Sequence, residues 1–124
     1  MKPTIVLVDD EPMMRLLLKQ ICKTEFDVHV FTNGKEALNF MYAGVIPDIV
    51  VVDLEMPEMN GYELIKHFKS SGYFQNVPVM VLSAEETSSD RIKCLELGAV
   101  DYMIKPFNPK ELQLRVQKIL SITK

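Results

Sequence analysis

Basic residues are not in excess in this chain: 14 Lys and Arg face 17 Asp and Glu, giving a formal net charge of −3 and a pI near 5.4. Nucleic-acid binding needs a basic footprint, so direct contact with nucleic acid is disfavoured. Cysteine is scarce. Cys22 and Cys94 lie 72 positions apart without metal-ligand spacing, and both fall in helical patterns, so they read as buried free thiols. The two histidines, His29 and His67, lie away from the C-terminal tips of the predicted strands, so neither suits a phosphohistidine relay or a metal site. No stretch approaches membrane-spanning length, and Met1-Lys2-Pro3-Thr4 enters a strand without an apolar signal region, which makes the cytoplasm the expected location. Repeats, low-complexity tracts and linkers are also missing. The 124 residues, 48% hydrophobic and 25% charged, read as one domain over 1–124, able to bury a core without disulfide or metal staples.

What the chain does have is alternation. Five apolar runs, at about 4–9, 27–31, 48–53, 77–82 and 100–104, alternate with amphipathic segments at about 11–24, 34–43, 61–71, 86–97 and 109–122. That pattern predicts an α/β fold, a parallel sheet covered by helices on both faces. The first, third and fourth runs are nearly continuous aliphatics, as in strands buried on both faces. Val28-His29-Val30-Phe31 and Val100-Asp101-Tyr102-Met103-Ile104 carry polar residues and read as edges. A flavodoxin-like, doubly wound five-stranded sheet of order 2-1-3-4-5 satisfies this, with its switch point between strands one and three. Asn108-Pro109 reads as a helix N-cap and first turn, with Leu112, Val116, Ile119 and Leu120 inward and Leu114 outward. Met13, Met14, Met41 and Met80 read as core fill. The fourth helix has a thin apolar stripe and follows a polar connection, Ser83 to Asp90, expected to be mobile.

Chemistry gathers at the strand tips. Asp53 closes the run Ile49-Val50-Val51-Val52, Asp9 and Asp10 follow Thr4-Ile5-Val6-Leu7-Val8, and Ser83 and Lys105 end two further strands. Open α/β sheets bind ligands beyond the carboxyl ends of their strands. Three carboxylates in one pocket repel unless a cation compensates them, and hard oxygen donors without His or Cys favour Mg²⁺. An aspartate beside such a metal can attack an activated phosphoryl group. Lys105 would neutralise a phosphoryl oxygen, and the Ser83 hydroxyl would hydrogen-bond another. A lone acid before a helix is often only a cap, and Asp10 is open to that reading.

Val8-Asp9-Asp10-Glu11-Pro12, Asp53 with Met56-Pro57-Glu58-Met59-Asn60-Gly61, Ser83-Ala84, and Gly98-Ala99-Val100-Asp101-Tyr102-Met103-Ile104-Lys105-Pro106-Phe107 occur in order. With these pieces the chain resembles, from end to end, the receiver domain of two-component response regulators. The resemblance implies that Asp53 accepts a phosphoryl group from a histidine kinase or phosphotransfer protein. It implies that Asp10, Asp53 and the Glu55 backbone carbonyl bind Mg²⁺, with Asp9 assisting through water. Lys105 would contact the phosphoryl group and precede a cis proline, while Ser83 and Tyr102 would form the switch, Tyr102 turning inward. The domain would then be a signalling switch rather than an enzyme, catalysing only its own phosphorylation and dephosphorylation. Glu55 and Glu85, each two residues beyond a site residue, are expected to tune phosphoryl hydrolysis.

Arg91, Glu96, Asp101, Glu111 and Arg115, with apolar Ile92, Leu95 and Leu114, resemble the dimer face of receivers from winged-helix transcription regulators. Gln117 departs from that pattern, where a basic residue would complete an ion pair. The resemblance implies a homodimer promoted by phosphorylation. With its end at Lys124, the chain is expected to act either as a free-standing receiver or as the receiver segment of a longer regulator. Two other classes fit less well. Dehalogenase-type phosphohydrolases place a second aspartate where this chain has Glu55. A flavodoxin needs a Ser/Thr/Gly-rich phosphate loop where this chain has Asp9-Asp10-Glu11-Pro12.

Overall fold

β1 (Thr4–Val8), β2 (Asp27–Phe31), β3 (Ile49–Asp53), β4 (Val79–Ser83) and β5 (Asp101–Ile104) alternate with α1 (Pro12–Cys22), α2 (Gly34–Tyr42), α3 (Gly61–Ser70), α4 (Ser88–Leu97) and α5 (Pro109–Thr123). These elements belong to a computed structural model that describes residues 1–56, 58–84 and 87–123. The strands pair in parallel in the order β2-β1-β3-β4-β5, as the sequence pattern predicts. β3 and β4 are buried along their whole length, whereas β2 is half-exposed, so the edge assignment holds.

Side chains alternate across a strand, so each strand feeds two cores. Val6, Val8, Val50, Val52, Val79 and Val81 pack beneath α2, α3 and α4 with Leu38, Met41, Leu64, Ile65 and Phe68. Ile5, Leu7, Ile49, Val51, Met80 and Leu82 pack beneath α1 and α5 with Leu18, Leu112, Val116 and Ile119. Burying an aliphatic side chain of this size contributes roughly 1.5–3 kcal/mol. The central strands, apolar on both faces, therefore hold the sheet, and their tips inherit that rigidity. Cys22 and Cys94 are buried free thiols, and burial pushes both up to about 11, which leaves them protonated and unreactive at neutral pH.

Several expectations are corrected. Met13 is 72% exposed, because it lies on the outer side of α1; Met14 is half-buried, and Met41 and Met80 do fill the core. Val77 belongs to the turn before β4, where its N–H donates to Phe74, and β4 runs on to Ser83. Thr87 caps α4 and Ser88–Asp90 form its first turn, within the predicted 86–97, the Thr87 hydroxyl accepting from the Asp90 N–H at 3.2 Å; residues 85 and 86 of the preceding connection lie outside the described residues. α4 buries Cys94 alone and is otherwise tied to α3 by the Tyr62 hydroxyl, which donates to Asp90 at 2.7 Å, and by Lys93 over the Tyr62 ring. Asn108 caps α5 as predicted, accepting from Lys110 at 2.8 Å and Glu111 at 3.2 Å.

Gly98 and Gly61 stand where conformation and contact, respectively, require glycine. Gly98 ends α4 with φ of 113°, a left-handed cap. Gly61 starts α3 so close to β3 that an added Cβ would lie 2.6 Å from the Asp53 carbonyl and 2.9 Å from the Leu54 Cα. Asn60 and Glu63 form a capping box over the same turn. Because the colliding atoms are backbone, Gly61→Ala is expected to cost about 1–3 kcal/mol in urea unfolding, whereas Gly72→Ala, with open space around it, leaves the midpoint nearly unchanged.

Candidate functional site

The register brings the tips together. Val8 pairs with Val52, so the next residues, Asp9 and Asp53, lie side by side on neighbouring strands. Ser83 pairs with Ile104, and the Lys105 N–H donates to the Ser83 carbonyl at 2.9 Å, which aims the lysine across the tips of β4 and β3. The result is a cavity of about 250 Å³ bordered by Asp10, Asp53, Glu55, Ser83 and Lys105. Carboxylate oxygens of Asp9, Asp10 and Asp53 all lie within 4.8 Å of one another.

Lys105 Nζ lies 2.7 Å from Asp9 Oδ2 and 3.5 Å from Asp53 Oδ2. Asp9 is 1% exposed, and its other carboxylate oxygen accepts from the Glu11 N–H at 2.9 Å. Asp10 is exposed and does not cap α1: the N-cap position falls to Glu11, which makes no side-chain cap bond. Asp53 is 9% exposed. Burial pushes its carboxyl up to about 6; Lys105 opposes that rise, Asp9 adds to it, and the Glu55 N–H opposes it. Lys105 would be lowered by burial, but its hydrogen bond to Asp9 and the charge of Asp53 carry it above its usual value. One ammonium thus compensates two buried carboxylates incompletely. Three clustered oxygen donors with an under-compensated carboxyl suit a hard divalent cation, so the residues present fit Mg²⁺.

The other expected site residues fall in three places. Ser83 is 1% exposed at the cavity wall, and the Lys105–Pro106 bond is cis as expected. Tyr102 does not line this cavity. It is already buried, in the core under α4, and borders a separate cleft of about 310 Å³ with Arg91, Pro106 and Arg115. On the α4–β5–α5 surface, Ile92, Leu95 and Leu114 are exposed, while Arg115 pairs within the chain with Asp101 at 3.2 Å and Glu111 at 2.7 Å. Gln117 faces the opposite side, donating to Glu25 at 2.6 Å. Glu85 lies outside the described residues. His29 stacks on Phe40 and contacts Asp27, and His67 is exposed, so neither enters the site. Arg15 went unnoticed in the sequence, yet its guanidinium donates to the Asp9 carbonyl at 2.9 Å. Its place in the first turn of α1, where side chains lean back toward the helix start, was the available signal.

The fold and this site define a doubly wound α/β protein with an acidic cluster and a facing lysine at the switch point. The chain belongs to the response regulator receiver domain family, whose model matches residues 5–117. It is 39% identical over 123 residues to the transcriptional regulatory protein CssR of Bacillus subtilis, covering 98% of this chain and 53% of that protein. A crystal structure of a putative response regulator from Chloroflexus aurantiacus superposes with a TM-score of 0.92 at 32% identity, covering 98% of this chain and 99% of that one. The receiver domain of the sensor histidine kinase PA1611 from Pseudomonas aeruginosa, solved with a magnesium ion in its active-site cleft, superposes with a TM-score of 0.88 at 25% identity, covering 98% and 99%. The chain spans about half the length, or less, of the curated relatives it matches. Membership makes the domain a phosphorylation-dependent switch of two-component signalling. Among the described residues, no helix is long and apolar enough to cross a membrane.

The raised Asp53 carboxyl has a consequence for stability. The folded state holds this proton more tightly than the unfolded chain, so the group favours folding below its ordinary value of 3.8, and that contribution is lost as pH rises through about 6. Each factor of ten in ionisation is roughly 1.4 kcal/mol. Asp53→Asn is therefore expected to stabilise the metal-free protein by about 1–3 kcal/mol at pH 7.5, and by much less at pH 3.5, in paired denaturant titrations with chelator.

Proposed function

We propose that Asp53 is the phosphoacceptor. The reading rests on one observation: a buried carboxylate 3.5 Å from the Lys105 ammonium, with carboxylate oxygens of Asp9 and Asp10 within 4.8 Å of it. A carboxylate oxygen of Asp53 forms the new bond to phosphorus as the phosphorus–nitrogen bond of a phosphohistidine breaks, and the imidazole leaves with the bond's electron pair. The donor would be a histidine kinase or a phosphotransfer protein. Asp10, Asp53 and the Glu55 carbonyl, with Asp9 through water, would hold Mg²⁺, which when bound supplies positive charge to the carboxylates and to phosphoryl oxygens.

Lys105 then turns from a partner of Asp9 and Asp53 into a partner of a phosphoryl oxygen, a charge-assisted bond stronger than a neutral one. The Ser83 hydroxyl donates to a second oxygen. Moving Ser83 displaces the tip of β4 beside β5, and Tyr102, buried under α4, relays the change to the α4–β5–α5 surface. The domain is a switch and not an enzyme with external turnover. Its extent is residues 1–124, its expected location is the cytoplasm, and its acidic balance disfavours direct contact with nucleic acid.

Incubation with acetyl phosphate and Mg²⁺ is expected to yield an acid-stable, base-labile adduct that is lost in Asp53→Ala; turnover of unrelated phosphate esters would instead favour a phosphohydrolase. Glu55 is exposed at the cavity mouth. Glu55→Ala is expected to change the autodephosphorylation rate about 2- to 10-fold, roughly 0.4–1.4 kcal/mol in barrier, while leaving phosphorylation itself intact. On the output surface, exposed Ile92, Leu95 and Leu114 beside the ion pairs of Arg115 support a homodimer promoted by phosphorylation, with Arg91 and Glu96 at its rim. Exposed ion pairs are weak singly, so the apolar residues must carry it. Sedimentation with beryllofluoride is expected to show dimers, and a monomer in both states at high concentration counts against them.

A further inference from the structure

Asp10 is the odd member of the acidic cluster. Asp9 is buried and held at its side chain by Lys105 and by the Glu11 N–H, and Asp53 is buried and faces Lys105. Asp10 is exposed. Its carboxylate is therefore aimed chiefly by the backbone that carries it. That backbone is gripped on both sides of Asp9. The Asp9 N–H donates to the Phe31 carbonyl at 3.1 Å, tying the β1 tip to β2. The Asp9 carbonyl, which belongs to the peptide plane joining Asp9 to Asp10, accepts from the Arg15 guanidinium at 2.9 Å.

Arg15 is itself half-buried, one turn into α1; hydrogen bonds from Thr32 hold the Glu36 carboxyl below its usual value, and the charge of Arg15 adds a smaller effect. Glu36 accepts from the Thr32 N–H at 3.0 Å and also pairs with the Thr32 hydroxyl. The guanidinium thus joins the start of α1 to the tip of β1, and only its charge reaches the β2–α2 corner. A planar fork with several fixed donors suits that task better than an ammonium.

We infer that Arg15 is a positioning residue for the metal site: by fixing the Asp9–Asp10 peptide plane, it sets the direction of the Asp10 carboxylate toward the cation. The inference rests on the reading of Asp10 as a Mg²⁺ ligand. It runs against simple electrostatics, which is what makes it testable. A positive charge near an acidic cluster repels a cation, so removing Arg15 should tighten Mg²⁺ binding if charge alone mattered. If orientation dominates, removal weakens binding, as loss of groups that orient metal ligands commonly does by 10–100-fold. Arg15 acts through backbone, so roughly the low end of that range is expected.

The test is Mg²⁺ titration of the unphosphorylated protein, followed by amide NMR shifts at about 0.15 M salt, where charge beyond roughly 8 Å is screened. Arg15→Met is expected to raise the Mg²⁺ Kd about tenfold. Arg15→Lys, which keeps the charge but not the fork, is expected to raise it by less. In an Asp10→Asn background, Arg15→Met should have no further effect, because the ligand it aims is gone. An unchanged or tighter Kd in Arg15→Met overturns the inference. So does a weakening that persists in full in the Asp10→Asn background. If Asp10→Asn alone binds Mg²⁺ as the unaltered protein does, it is the metal-site reading that fails. Thermal melts separate the two effects: a lowered midpoint with an unchanged Kd means that Arg15 only braces the corner, and if Arg15→Met does not fold, an unchanged Kd in Arg15→Lys overturns the inference.

Discussion

One ammonium group holds this structure's chemistry in tension. Lys105 sits between Asp9 and Asp53 at the tips of the two central strands and satisfies neither fully. The pair of buried carboxylates costs desolvation and mutual repulsion, and the lysine returns only part of it, which is why Asp53 titrates near 6. Everything around the cavity follows from that imbalance. It makes the site receptive to a cation. The rigid strands beneath make the imbalance sustainable, because a sheet buried on both faces cannot relax its tips apart.

The same contrast between rigid and loose elements shapes the α4–β5–α5 surface. α5 buries Leu112, Val116, Ile119 and Leu120, α3 buries Leu64, Ile65 and Phe68, and α1 buries Leu18 and Cys22 with Met14 and Ile21 partly covered. α4 buries Cys94 alone and relies on a tyrosine hydroxyl, a cation over a ring and a threonine cap. Such polar contacts contribute about 1 kcal/mol each, against roughly 1.5–3 for a buried aliphatic. The helix that follows β4 is therefore the one least firmly held.

Much of this was legible from residue order. Continuous aliphatic runs marked β1, β3 and β4 as inner strands, and interruptions at His29 and Asp101 marked the edges, because burial on one face or two leaves a direct compositional trace. Strand-tip acids, Ser83 and Lys105 pointed to the site for the same reason: a charge beside a buried run needs a purpose. Met13 misled, since methionine is apolar yet flexible enough to sit on an exposed helix face. Asp10 could have been a cap; only the turn geometry, which hands that position to Glu11, decided the matter. Arg15 was silent, because a hydrogen bond to a backbone carbonyl leaves no partner residue to recognise.

The sequence by itself determined the sheet order, the chemical identity of the site and the family of the chain, since those depend on local periodicity and on which residue types end each strand. The tertiary structure alone decided that Asp9 and Asp53 share one lysine, that Tyr102 already lies inside the core, and that Arg115 spends its charge within the chain. The reason is physical. Periodicity reports whether a side chain is buried, but partner choice and ionisation depend on register and distance between strands far apart in sequence, and those exist only once the chain has folded.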